Sequence, residues 1–182
     1  MQRSAHRQGG FTMVELIVVI IILGVLAAVA LPRFTNLQRD ARIAKLNAAR
    51  GAVAASMALV HGAAMARQGL VQPACAAFGV PNIAAASGNG TICTENGLVN
   101  VTALYPAASL AGVIAAAGLV QVAGAPTAAQ LAADGYQTAN AGGGLDVRIT
   151  GGPAAATCNF NYIAAAGVGQ APTLSPSVTT GC

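Results

Sequence analysis

Glu15 stands where a carboxylate is hardest to place. It borders residues 16–31 (LIVVIIILGVLAAVAL), an unbroken apolar run. A carboxylate near a membrane interior costs roughly 2.5 kcal/mol or more, so such a residue is a functional candidate by default. The other reactive side chains are the four cysteines, Cys75, Cys93, Cys158 and Cys182. None forms a C-x-x-C pair, and His6 and His61 lie elsewhere, so no zinc site is expected. An even count points to disulfides in an oxidising compartment. Three pairings are possible, of which Cys75–Cys93 with Cys158–Cys182 closes the shortest loops. Each bond would contribute roughly 3 kcal/mol by chain entropy, and one at Cys182 would tether a segment that otherwise frays. No catalytic constellation is present. The five acidic residues are widely spaced, and Gly142-Gly143-Gly144 precedes a strand pattern, not the helix start that cradles phosphate. The chain reads as neither an enzyme nor a metal or cofactor protein.

The elements that position these residues follow from composition. Of 182 residues, 55% are apolar and 8% charged, with 43 Ala and 22 Gly. An average soluble domain has about a quarter of its residues charged. The run at 16–31 has no second copy, so one hydrophobic helix and one Ala-rich body are expected, not a multi-span membrane domain. Charge is divided too. Residues 1–50 carry seven basic and two acidic side chains, a net +5, and the remainder carries −1. A nucleic-acid surface needs Lys and Arg clustered on a folded face, and the body beyond residue 50 has no such cluster. Arg3 and Arg7 instead suit the cytoplasmic flank of a membrane segment.

The N-terminus admits two readings. As a secretory signal, it would be cut after Ala30 of Ala28-Val29-Ala30, leaving a soluble secreted domain. Against this, Glu15 interrupts the junction and the helical pattern continues past Ala30. In the other reading, Gly9-Gly10-Phe11-Thr12-Met13-Val14-Glu15-Leu16 resembles the prepilin signal of type IV pilins. That resemblance implies cleavage between Gly10 and Phe11 by a prepilin peptidase, N-methylation of Phe11, and retention of the apolar helix. The new amine at Phe11 would be cationic at neutral pH. Phe11 and Glu15 share a helical face, and a paired charge in low dielectric costs far less than an unpaired one. The family implies pairing with Glu15 of a neighbouring subunit. The residues alone leave pairing within the chain equally open.

From Phe11 to about Arg67 the pattern is helical, roughly 85 Å at about 1.5 Å per residue. Gly24 weakens it, and Pro32 predicts a kink near Ala28. Pilins similarly carry Gly and Pro here, which implies that 24–32 unwinds on assembly and assigns Gly24 and Pro32, with Glu15, to assembly. Beyond Pro32 two stripes are expected. Phe34, Leu37, Ala41, Ala44, Ala48, Ala52, Ala55 and Leu59 suit close helix packing. Leu46, Val53, Met57 and Val60 suit contact with the body, with Arg39, Arg42 and Arg50 on that side. The expected organisation is a leader at 1–10, a membrane and assembly helix at 11–32, an amphipathic half at 33–67 and a head at 68–182.

The fold class expected is α+β: a long helix on an antiparallel sheet of about four strands, 90–94, 98–102, 145–150 and 157–163. Short helices are expected at 109–118, capped by Ser109, and at 126–133. Type IV pilins close a C-terminal loop with a disulfide, which the resemblance transfers to Cys158 and Cys182. Tyr105-Pro106, the strand from Cys158 to Tyr162 and Cys182 resemble pilins of the mannose-sensitive haemagglutinin type. Asn89-Gly90-Thr91 and Asn100-Val101-Thr102 match a glycosylation pattern, but read as ordinary turn and strand residues. The Ser/Thr-rich segment 173–180 reads as a solvated loop. The implied function is the structural subunit of a type IV pilus in adhesion, surface motility or DNA uptake. Its partners would be copies of itself, the prepilin peptidase, the assembly machinery and, before assembly, the inner membrane. The alternative class is a pseudopilin of a type II secretion system. Its usual acidic calcium site has little counterpart here, where Asp146 is the one acidic residue beyond 140.

Overall fold

The structure, a computed structural model, describes residues 11–75 and 78–182. It divides into two compact units, Met1–Arg39 and Asp40–Cys182. Helix α1, Met13–Arg67, begins in the first and ends in the second, and Pro32 lies inside it. In the first unit the large apolar side chains of α1 face outward. Val14, Ile21 and Leu31 are 68%, 59% and 65% exposed. The most apolar stretch of α1 has a mean hydropathy of 3.1, enough in length and composition to cross a membrane.

In the second unit α1 is amphipathic. Leu46, Ala49, Val53, Val60 and Ala64 are buried, a stripe at helical spacing, while Ala41, Ala44, Ala48, Ala55 and Leu59 are exposed. The buried stripe serves two separate sheets. This corrects the expectation of a single sheet of about four strands.

The first sheet comprises β1 (Gly90–Thr94), β2 (Gly97–Thr102) and β3 (Tyr105–Pro106), antiparallel in that order. Ile92, Val99 and Val101 pack with Val60 and Ala64 of α1. The β2–β3 turn places Ala103 and Leu104 at φ +51° and +72°, unusual for residues with a Cβ. It is pinned from outside: Asn89 Oδ1 accepts from the Ala103 N–H at 2.8 Å, and the Leu104 N–H donates to the Gly88 carbonyl at 2.8 Å. Asn89 of the first glycosylation-like triplet therefore serves the turn.

The second sheet comprises β4 (Tyr136–Ala141), β5 (Gly144–Ile149), β6 (Asn159–Ile163) and β7 (Thr173–Leu174). Leu145, Val147, Ile149, Phe160 and Tyr162 pack with Leu46, Ala49 and Val53. The sequence reading missed β4, because Ala and Asn are poor strand formers. Its signal was Gly142-Gly143, at φ +59° and +77°, the two-residue turn of a tight hairpin. The expectation of a solvated loop over 173–180 is corrected at β7, an edge strand beside β6.

The expected helix at 109–118 is also corrected. Ser109 makes no side-chain cap, a widened turn occupies Leu110–Ile114, and regular helix (α2) is confined to Ala115–Ala117. Gly112, at φ −101° and ψ −105°, breaks the pattern. Helix α3, Ala128–Ala133, starts at Thr127, which forms a reciprocal cap with Gln130.

Candidate functional site

The N-terminal candidates lie on one short stretch of the first unit. Gly10 lies outside the described residues. Phe11 is 88% exposed and precedes α1. Glu15 sits in the first turn, where Thr12 engages it three ways. The Thr12 backbone N–H and hydroxyl each donate to Glu15 Oε2 at 2.9 Å, and the Glu15 N–H donates to Thr12 Oγ1 at 3.2 Å. This is a capping box, in which the side chains at the cap and three residues on satisfy orphan N–H groups reciprocally. The carboxylate also favours the positive end of the helix dipole. The sequence reading used Glu15 but missed Thr12, although Thr-x-x-Glu before an apolar run was the available signal.

Gly24 has helical neighbours on both sides, and a Cβ added there would meet nothing within 4 Å. Among the described residues no contact requires its small size. Pro32 has no N–H to donate to the carbonyl of Ala28, so its turn is intrinsically weak. Ala28-Val29-Ala30 lies within α1.

The cysteine candidates lie in the second unit. Cys75 is bonded to Cys93 and Cys158 to Cys182. The first bond ties the segment after α1 to β1. The second closes the segment that carries β6 and β7. Basic side chains of α1 hold this segment and its surroundings by their carbonyls. Arg42 Nε donates to Cys182 O, and Arg50 Nε to Ser175 O at 2.7 Å. Lys45 Nζ donates to Asp134 O and stands over the Tyr136 ring, 4.3 Å from its centre. Hydrogen bonds from charged donors are about twice as strong as neutral ones. These residues act as clamps within the second unit. That role was not visible from sequence, because each acceptor lies about ninety or more residues away.

Asp146 is nearly buried on β5. It accepts from Asn161 Nδ2 at 2.7 Å and Arg148 Nη2 at 3.0 Å. It joins strands β5 and β6. Among the described residues no group of three or more His, Cys, Asp or Glu is arranged to hold a metal ion. The phenol of Tyr162 donates to the Pro106 carbonyl at 2.5 Å and is pushed well above the ordinary tyrosine range by burial, with Tyr105 adding to the effect. Tyr136 is raised by burial and by nearby Asp134.

Comparison with known proteins bears on the N-terminal stretch first. The prokaryotic N-terminal methylation motif matches residues 5–31. The chain is also 43% identical over 53 residues to the type IV narrow pilus major component PilA5 of Thermus thermophilus. The aligned stretch is 29% of this chain and 46% of that protein, so the chain spans less than half of its relative's length. No solved structure matches. The motif, the relative and an α+β body with a disulfide-closed C-terminal loop together support a type IV pilin.

Proposed function

We propose that the chain is a structural subunit of a type IV pilus filament. A prepilin peptidase would cut between Gly10 and Phe11 and methylate Phe11. The helix at 11–32 would hold the subunit in the inner membrane, in a single pass, until the assembly machinery adds it to a growing filament on the cell surface. Lipid and then neighbouring helices would cover the apolar side chains that the first unit leaves exposed. The observation that carries this reading is the position of Glu15, hydrogen-bonded by Thr12, at the head of a helix whose large apolar side chains are exposed. A carboxylate here is tolerable in lipid while Thr12 satisfies it. It becomes useful when a neighbour's Phe11 amine arrives. Gly24 and Pro32 would then let 24–32 unwind as the helices bundle, since none of the described residues needs Gly24 to be small.

The name of the Thermus relative, a major pilus component, supports a major filament subunit here. The role such a filament would serve is adhesion, surface motility or DNA uptake. Mass spectrometry of sheared surface filaments tests the reading. Abundant protein beginning at methylated Phe11 is the expected result. A start at Leu31 would make the chain a soluble secreted domain. Processed protein confined to the cell envelope would make it a secretion pseudopilin.

A further inference from the structure

The second unit has a groove of about 370 Å³ between α1 and the β1–β2 hairpin, lined by Leu59, Val60, Ala63, Ile92, Cys93 and Glu95 among others. Its neutral polar groups are already engaged. Ser56 Oγ donates to Val53 O, Thr94 Oγ1 to Gly97 O and Asn96 Nδ2 to Ala115 O. Glu95 is exposed, and its carboxylate has no hydrogen-bond or ion-pair partner among the described residues. A groove of mixed polar and apolar lining, with Leu59 and Ala63 on its helix side and one unneutralised anion, suits a partner surface that joins apolar side chains to a cation.

The chain's own cations narrow the choice. Arg42, Lys45, Arg50 and Arg67 all donate to backbone carbonyls, and Arg148 pairs with Asp146. Among the described residues this leaves Arg33 and Arg39 unengaged. Arg33 lies four residues before Leu37, and Phe34 three before it, so the three share one helical face. Phe34 and Leu37 are 63% and 61% exposed. Arg39 falls on the other side of the helix. At the groove's edge Leu59 is 74% exposed and ends the small-residue stripe that begins with Phe34 and Leu37.

We propose that this groove receives the Arg33, Phe34 and Leu37 face of a second copy of the chain, with Arg33 of that copy paired to Glu95. The two surfaces differ, so the contact is head-to-tail and propagates as an open filament instead of closing as a dimer. The proposal rests on the filament reading and adds a specific partner surface to it.

The test uses full-length chains in surface filaments. The described cysteines are all paired, so a Leu37→Cys/Ala63→Cys chain carries the only new thiols. Mild oxidation is expected to yield covalent dimers and longer ladders, with none from either single variant. Glu95→Arg is expected to lower filament yield at least tenfold, and Glu95→Arg/Arg33→Glu to restore most of it. Filaments of the double-cysteine chain without cross-links, or normal yield from Glu95→Arg, or no rescue by the reversed pair, would overturn the groove contact alone. No filaments from the unsubstituted chain would instead overturn the filament reading and the groove contact with it.

Discussion

Thr12 and Glu15 satisfy one another at the first turn of α1, with both the hydroxyl and the backbone N–H of Thr12 on Glu15 Oε2. The helix start is thereby closed, and the one carboxylate beside the apolar run is kept hydrogen-bonded before any partner arrives.

Loss of this pair should separate processing from assembly. Glu15→Ala is expected to leave cleavage and methylation at Phe11 intact and to remove filaments. Thr12→Ala costs a cap, about 1 kcal/mol, and is expected to reduce filament yield less than Glu15→Ala, with Thr12→Ser close to normal. Mass spectrometry of the processed N-terminus and the yield of sheared filaments give the two readouts. Normal filaments from Glu15→Ala would refute the assembly role.

The buried stripe of α1 predicts unequal costs along one helix. Leu46 and Val53 are fully buried, whereas Ala48 and Leu59 are exposed. Leu46→Ala should destabilise the head by about 2–5 kcal/mol. Leu59→Ala should fall within about 0.5 kcal/mol of the parent. Denaturant titration of the detergent-solubilised chain, followed by tyrosine fluorescence, separates the two.

The buried phenols predict a loss of stability in alkali. Tyr162 and Tyr136 hold their protons more tightly folded than unfolded. Their stabilisation is therefore complete below the unfolded value of about 10. It is lost as pH rises from there through the higher folded values. The midpoint of unfolding should fall steadily above that point. Tyr162→Phe should flatten the fall while costing about 1–3 kcal/mol at neutral pH, because the Pro106 carbonyl loses its buried donor. A wild-type midpoint that stays level through this range would contradict the assignment.

The second disulfide and the arginine clamps act on the same segment. Cys158→Ser/Cys182→Ser is expected to remove about 3 kcal/mol. Arg50→Ala frees the Ser175 carbonyl and is expected to expose residues 164–180 to limited proteolysis while leaving β1–β3 protected. Peptide mapping of the first cuts would show whether the damage stays in that segment.

The local order of residues was enough to read helix α1. Periods of apolar and polar side chains act between neighbours three and four apart, so the long helix, its two faces and the placing of Leu46, Val53 and Val60 inward were legible in the sequence. The Thr12 cap was available for the same reason, in the Thr-x-x-Glu pattern, whereas Phe11 lies before α1 and makes no hydrogen bond with Glu15. The hairpin around Glu95 and Asn96 was also a local signal. What the tertiary structure decided is pairing at a distance. The segments 90–94 and 145–150 both read as strands from the sequence. They join different sheets because Val60 and Ala64 offer one apolar patch on α1, while Leu46, Ala49 and Val53 offer another. Tyr136–Ala141 became a strand against its composition, because a Gly-Gly turn and the edge of β5 supplied its hydrogen bonds. Three cysteine pairings were possible on paper, the neighbour pairing closing the shortest loops, and the fold brings that pairing about, with Cys75 beside Cys93 and Cys158 beside Cys182. That Glu95 and Arg33 lack partners among the described residues emerged the same way. A charge is known to lack a partner only after every other group has been placed.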